Sequence, residues 1–138
     1  MRYFDASALA KRYVREKDST KVRRLLSVDV PATSRLSAVE IVSALIRRSR
    51  EGTLSEKNRD RALTVLDTDL AAMLIVELTP EIVTRAQALL RRHPLRAGDA
   101  VQLASCLQLK EELGDETVFV AFDARLVAAA RDEYVKVE

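Results

Sequence analysis

Short strand-like runs alternate along this chain with longer stretches whose apolar residues recur every three or four positions, and this alternation restricts the fold more than any other feature. Residues 1–4 are apolar and aromatic and stop at Asp5. Residues 28–34 are strand-like, residues 71–78 hold a helix end and then a short strand, residues 117–122 follow Gly114-Asp115 as the clearest strand, and residues 134–137 form a last one. Between these runs the spacing is helical. Leu9, Tyr13 and Val14 share one face after Ala6, and Val22, Leu25 and Leu26 share another after about Asp18. Ser37 with Glu40 three positions on reads as a capping box, opening a helix that carries Val39, Val42, Leu45 and Ile46 and ends at Gly52. Ser55 and Asn58 open the next, with Ala62, Leu63, Val65 and Leu66. Thr79-Pro80-Glu81 opens one that stops at His93-Pro94, and Gly98-Asp99 opens an apolar helix that runs to Gly114. A short helix over residues 124–131 completes the pattern. Strands that alternate with helices predict an α/β fold: a three-layer α/β/α domain with a central parallel sheet of four to five strands, filling residues 1–138 as a single domain.

Composition narrows the chemistry. Of 138 residues, 48% are hydrophobic and only three are Gly and three Pro, which excludes collagen-like and low-complexity chains. No apolar stretch approaches the roughly 20 residues of a membrane span. The opening residues lack a basic segment, a long apolar segment and a small-residue cleavage site, so a cytoplasmic chain without membrane attachment is expected. A single cysteine, Cys106, and a single histidine, His93, leave no intramolecular disulfide and no zinc centre. Cys106 reads as a buried structural thiol and His93 as a loop residue. Catalysis, if present, falls to carboxylates. The net charge of +2 does not announce nucleic acid, and the arginines at 23–24, 47, 48, 50 and 91–92 either bind phosphate locally or line solvated helix faces.

In an open parallel sheet, ligands bind in the crevice outside the carboxyl ends of the strands. Asp5 and Asp123 each follow an apolar strand directly, Asp99 opens the apolar helix, and Glu40 lies one turn into its own. Each has a plainer reading too: Asp5 and Asp99 as helix caps, Glu40 as the partner of Ser37, Asp123 as a turn residue. The hydroxyls of Ser7 and Thr33 either support such a site or serve locally. Four carboxylates in one cleft cannot all stay ionised without a cation, and oxygen-only ligation suits Mg²⁺ or Mn²⁺, ions that activate water and offset charge on a phosphodiester.

Four segments occur in a familiar order: Tyr3-Phe4-Asp5-Ala6-Ser7, Thr33-Ser34-Arg35-Leu36-Ser37-Ala38-Val39-Glu40, Arg96-Ala97-Gly98-Asp99-Ala100 and Val120-Ala121-Phe122-Asp123. With them the chain resembles the PIN-domain family over almost its whole length, and more narrowly the VapC-type toxins of toxin–antitoxin pairs. The resemblance implies a Mg²⁺- or Mn²⁺-dependent endoribonuclease whose catalytic acids are Asp5, Glu40, Asp99 and Asp123. Asp5, Asp99 and Asp123 would hold metal directly or through water, Glu40 would complete the shell or orient the attacking water, and Ser7 would support them. It also implies a cognate antitoxin over the cleft and a homodimer. The apolar stripes of the helices beginning near Ser37 and Asp18 are candidate surfaces for these, or simply core. Arg47, Arg48 and Arg50 are candidates to track the RNA backbone. The chain departs from many relatives in having Gln102 where they have His, and residues 55–73 match nothing diagnostic. Two rival functions stand beside this one. The first is a phosphatase with Asp5 as nucleophile, disfavoured by Ser7 at the position of its usual general acid; the second is a non-catalytic module that binds RNA or protein.

Overall fold

The computed structural model describes residues 1–114 and 116–138, so the second residue of the turn expected at Gly114-Asp115 lies outside the described residues. The elements run β1 (Arg2–Phe4), α1 (Ala6–Ala10), α2 (Ser19–Leu26), β2 (Pro31–Ser34), α3 (Arg35–Arg50) and α4 (Glu56–Ala72), then β3 (Leu74–Val76), α5 (Pro80–Arg92), α6 (Ala97–Leu113), β4 (Val118–Val120), α7 (Ala124–Asp132) and β5 (Lys136–Val137). The strands form one sheet in the order β3-β2-β1-β4-β5, and every pairing among the described residues is parallel. From β1 the chain builds outward through β2 to β3, then returns to place β4 on the other side of β1. Order therefore reverses beside β1, and the carboxyl ends of β1 and β4 flank the crevice that results.

Successive strand residues face opposite sides of a sheet, and the two apolar cores follow that rule. Tyr3 and Phe119 face one side, where Ile82 and Leu89 of α5, Leu103 and Leu109 of α6 and Leu126 of α7 cover them. Phe4 and Val120 face the other, beneath Leu9 of α1, Val22 and Leu25 of α2, Ile41 and Leu45 of α3 and Leu66 of α4. These are the three expected layers. The α2 stripe is thus spent on the core, whereas α3 leaves Val39 66% exposed and Val42 at the surface. Cys106 is buried in the first core, which pushes its thiol up to about 12 and leaves it inert, as its apolar neighbours suggest.

Several boundaries differ from the expected ones, among them the last two strands, which shorten to β4 and β5. The strand of residues 28–34 shortens to β2, starting at Pro31, which cannot donate to a ladder. The first helix ends at Ala10, although Tyr13 and Val14 still pack in the second core, tied down by the Tyr13 hydroxyl donating to Asp69 Oδ2 at 2.9 Å. The helix expected to start at Ser37 begins two residues earlier, because the Ser34 hydroxyl accepts from the Leu36 N–H at 3.1 Å as β2 passes straight into α3. The capping box of Ser37 and Glu40 is therefore not formed, and both side chains are released for other partners. No helix among the described residues is long and apolar enough to cross a membrane.

Leu103 is fully buried where α6 meets the sheet. Leu103→Ala is expected to destabilise the protein by about 3 kcal/mol in urea unfolding, the range for a buried leucine that leaves a cavity. A loss below about 1 kcal/mol would contradict its place in the core.

Candidate active site

Asp5 ends the central strand and caps the helix that follows. Its Oδ1 accepts the Ala8 N–H at 2.8 Å, while the backbone N–H of Asp5 donates to the Val120 carbonyl at 3.2 Å across the β1–β4 boundary. The capping and site readings of this residue are compatible, because a carboxylate has a second oxygen. Asp123 repeats the arrangement at α7, its Oδ1 accepting the Leu126 N–H at 2.9 Å. Asp99 is not a cap. Arg96 holds that place, and Asp99 stands in the first turn of α6.

Burial grades across the group from Asp5, 2% exposed, through half-buried Asp99 and Glu40 to exposed Asp123. Burial first, then repulsion from Asp99 and Glu40, pushes the Asp5 carboxyl up to about 7 against the pull of its backbone hydrogen bonds. Asp99 is raised by burial and by Asp123, and is drawn down by its hydrogen bond to the Arg96 backbone and by the Arg96 charge. The four acids thus share one field at the crevice. Glu40 reaches across to α6, its Oε1 accepting from Gln102 Nε2 at 2.9 Å.

Ser7 is exposed one residue into α1, on a groove of 350 Å³ between α1 and α3 that Glu40, Ser43 and Arg47 also line. The three candidate arginines of α3 diverge. Arg47 points into this groove, Arg48 is ion-paired with Glu16 on the far side, and Arg50 is exposed at the helix end. His93 caps α5 and pairs with Glu133 at 2.8 Å, away from the acids.

Residues 2–132 match the PIN domain. The chain belongs to the PIN-domain family. It is 37% identical over 130 residues to Ribonuclease VapC45 of Mycobacterium tuberculosis, covering 93% of this chain and 88% of that protein. It is 32% identical over 137 residues to Ribonuclease VapC47 of the same organism, covering 96% and 91%. Among solved structures, the M. tuberculosis toxin VapC20, described as cleaving the sarcin–ricin loop, superposes with a TM-score of 0.70 at 19% identity over 94% of this chain and 95% of that one, a likeness of fold.

The donors of this PIN-domain cleft are carboxylate oxygens, which suit a hard divalent cation. Among the described residues no group of three acidic, histidine or cysteine side chains is placed to hold one ion. A cation there would relieve the repulsion that raises Asp5 and Asp99. One feature escaped the sequence reading: Arg96, exposed beside Asp99, is a cation at the mouth of the cleft. Gln102, singled out there only as a departure from the family pattern, is buried against Glu40. Arg96 lies within the third recognised segment, where its charge was visible but its neighbour was not.

Because the folded protein holds the Asp5 proton more tightly than the unfolded chain, the stability from this group is present at low pH and is lost as pH rises from about 4 through about 7. In EDTA at pH 8, Asp5→Asn keeps the cap oxygen and removes the repulsion. It should raise the melting temperature by about 5 °C, with the gain vanishing at pH 4. An equal melting temperature at pH 8 would show that the Asp5 charge carries no such strain.

Proposed function

We propose that this protein is a Mg²⁺- or Mn²⁺-dependent endoribonuclease acting as the toxin of a toxin–antitoxin pair. The observation that carries the reading is the row of acids across the β1–β4 boundary. Its innermost member is buried and raised by its neighbours. The ribonuclease names of relatives 32–37% identical over nearly the whole chain support it.

Asp5 and Asp99 would hold the cation, with Asp123 acting through water at the exposed end. When bound, such an ion polarises water and offsets charge on the scissile phosphate, usually worth several kcal/mol of barrier. Glu40 has Oε1 engaged by Gln102, so Oε2 is the oxygen left to orient the attacking water and take its proton. Ser7 supports the edge of the cleft. Arg96 steadies the substrate phosphate beside Asp99. Arg47 lies seven residues beyond Glu40 on α3, about 10 Å along the helix, and there meets the RNA backbone a nucleotide or two from the cut. A cognate antitoxin covering the cleft and a homodimer using the exposed Val39 and Val42 of α3 belong to the same proposal.

Incubated with total tRNA and rRNA and Mn²⁺, the partner-free protein should yield discrete fragments that disappear with EDTA and with Asp99→Asn. Fragments that persist under both would end the metal-nuclease reading. No cleavage by the wild type, together with no Mn²⁺ binding in calorimetry, would favour the binding module. Arg47→Ala should weaken RNA binding and lower the magnitude of its salt slope by about one, while Arg50→Ala leaves the slope unchanged. Equal slopes for both variants and the wild type would remove Arg47 from the RNA path.

A further inference from the structure

Gln102 is 1% exposed and is the single fully buried carboxamide among the described residues. It joins three parts of the fold. Its Nε2 donates to Glu40 Oε1 at 2.9 Å and to Ser37 Oγ at 2.9 Å, both on α3, and its Oε1 accepts from the Tyr3 hydroxyl on β1 at 2.7 Å. The directions of these bonds follow from counting protons. Thr33 has one hydroxyl hydrogen and gives it to the Phe4 carbonyl at 2.8 Å, so in the 2.7 Å contact with Ser37 it is Ser37 that donates. Ser37 then has only a lone pair left for Gln102. A flipped amide would set its oxygen against that lone pair and against the Glu40 carboxylate at once. One orientation survives. It presents an N–H to Glu40, and the Tyr3 phenol, kept protonated by burial, holds it from behind.

Gly98 bears on the same carboxylate from the other side. A Cβ on Gly98 would lie 3.0 Å from Glu40 Oε2, so the opening turn of α6 lacks a side chain where Glu40 crosses it. Among the described residues Oε2 accepts no hydrogen bond.

We propose that Gln102 is the positioning residue of the active site: its amide, oriented by Tyr3 and Ser37, clamps the Glu40 carboxylate through Oε1 over Gly98 and keeps Oε2 free for the reaction. The proposal rests on the reading of the acids as a nuclease site. Gln102 touches neither substrate nor ion and acts wholly through Glu40. The histidine of many relatives at this position is then one of several side chains able to present an N–H to the acid.

The test uses the full chain with Gln102→Leu, Glu40→Gln and the double variant. Mn²⁺ affinity is read by calorimetry, kcat and KM on a cleaved RNA, and stability by thermal unfolding. Gln102→Leu should lower kcat or Mn²⁺ affinity by about 10–100-fold with KM for RNA within about two-fold, the scale for residues that orient a metal site's acids. In the Glu40→Gln background the same substitution should have little further effect, because a positioning residue has nothing left to position. Equal losses in both backgrounds, or wild-type kcat and Mn²⁺ affinity in Gln102→Leu, would overturn the proposal. If Gln102→Leu does not fold, Tyr3→Phe decides. It keeps the ring against Phe119, frees the amide, and should lower kcat in the wild-type background but not in Glu40→Gln. Unchanged kcat in Tyr3→Phe would then overturn the proposal. A wild type that neither binds Mn²⁺ nor cleaves RNA overturns the nuclease reading and this proposal with it, whereas an active wild type matched by Gln102→Leu overturns the positioning alone.

Discussion

The carboxylate of Asp5 must satisfy two conflicting demands at the end of the central strand. Its Oδ1 closes the first turn of α1, which locks the helix to the strand, while burial and two neighbouring acids make its charge unfavourable. A protein selected only for stability would place a neutral acceptor here, since Asn would cap equally well. Beside Asp99 and Glu40 that charge is a cost which the proposed cation would offset. Stability given up at a site of this kind is a common signature of function.

The topology makes this conflict possible. With β1 between β2 and β4, the chain reversal leaves a crevice at the ends of β1 and β4, and the helices leaving those ends begin at Asp5 and Asp123. The second core, from Phe4 through Leu9 to Ile41 and Leu45, fixes α1 and α3 together, so Glu40 comes in from the side. The first core sets α6 against the sheet through Leu103 and Ala104, and brings Gly98 and Gln102 to the two oxygens of the Glu40 carboxylate. Every buried side-chain polar atom among the described residues has a partner, so the side chains behind the cleft are buried without an unsatisfied group.

Much of this was legible beforehand. An apolar strand that stops at an aspartate is a local signal, and Asp5 and Asp123 stood out for that reason. Thr79-Pro80 and the turn at Gly114 marked helix ends correctly because caps depend on neighbouring backbone groups. The misreading at Ser37 has an equally local cause. Ser34 and Ser37 both stand where a cap would be plausible, and only the direct passage of β2 into α3 selects the first. Glu40 was consequently assigned a neighbour three residues away, when its partner is 62 residues distant.

Periodicity and strand-end acids were enough to read a parallel α/β sheet and to single out the carboxylates at its strand ends, because these depend on residue type and near-neighbour spacing. Which arginine of α3 lines the groove, which oxygen of Glu40 is engaged and what Gln102 bonds to were decided by packing. Arg47 and Arg48 differ by one step of about 100° around a helix, and that step has no meaning until α1 lies alongside. Tyr3, Ser37, Glu40 and Gln102 form one hydrogen-bonded unit across as many as 99 residues of chain, and the direction of each bond exists only once all four are buried together.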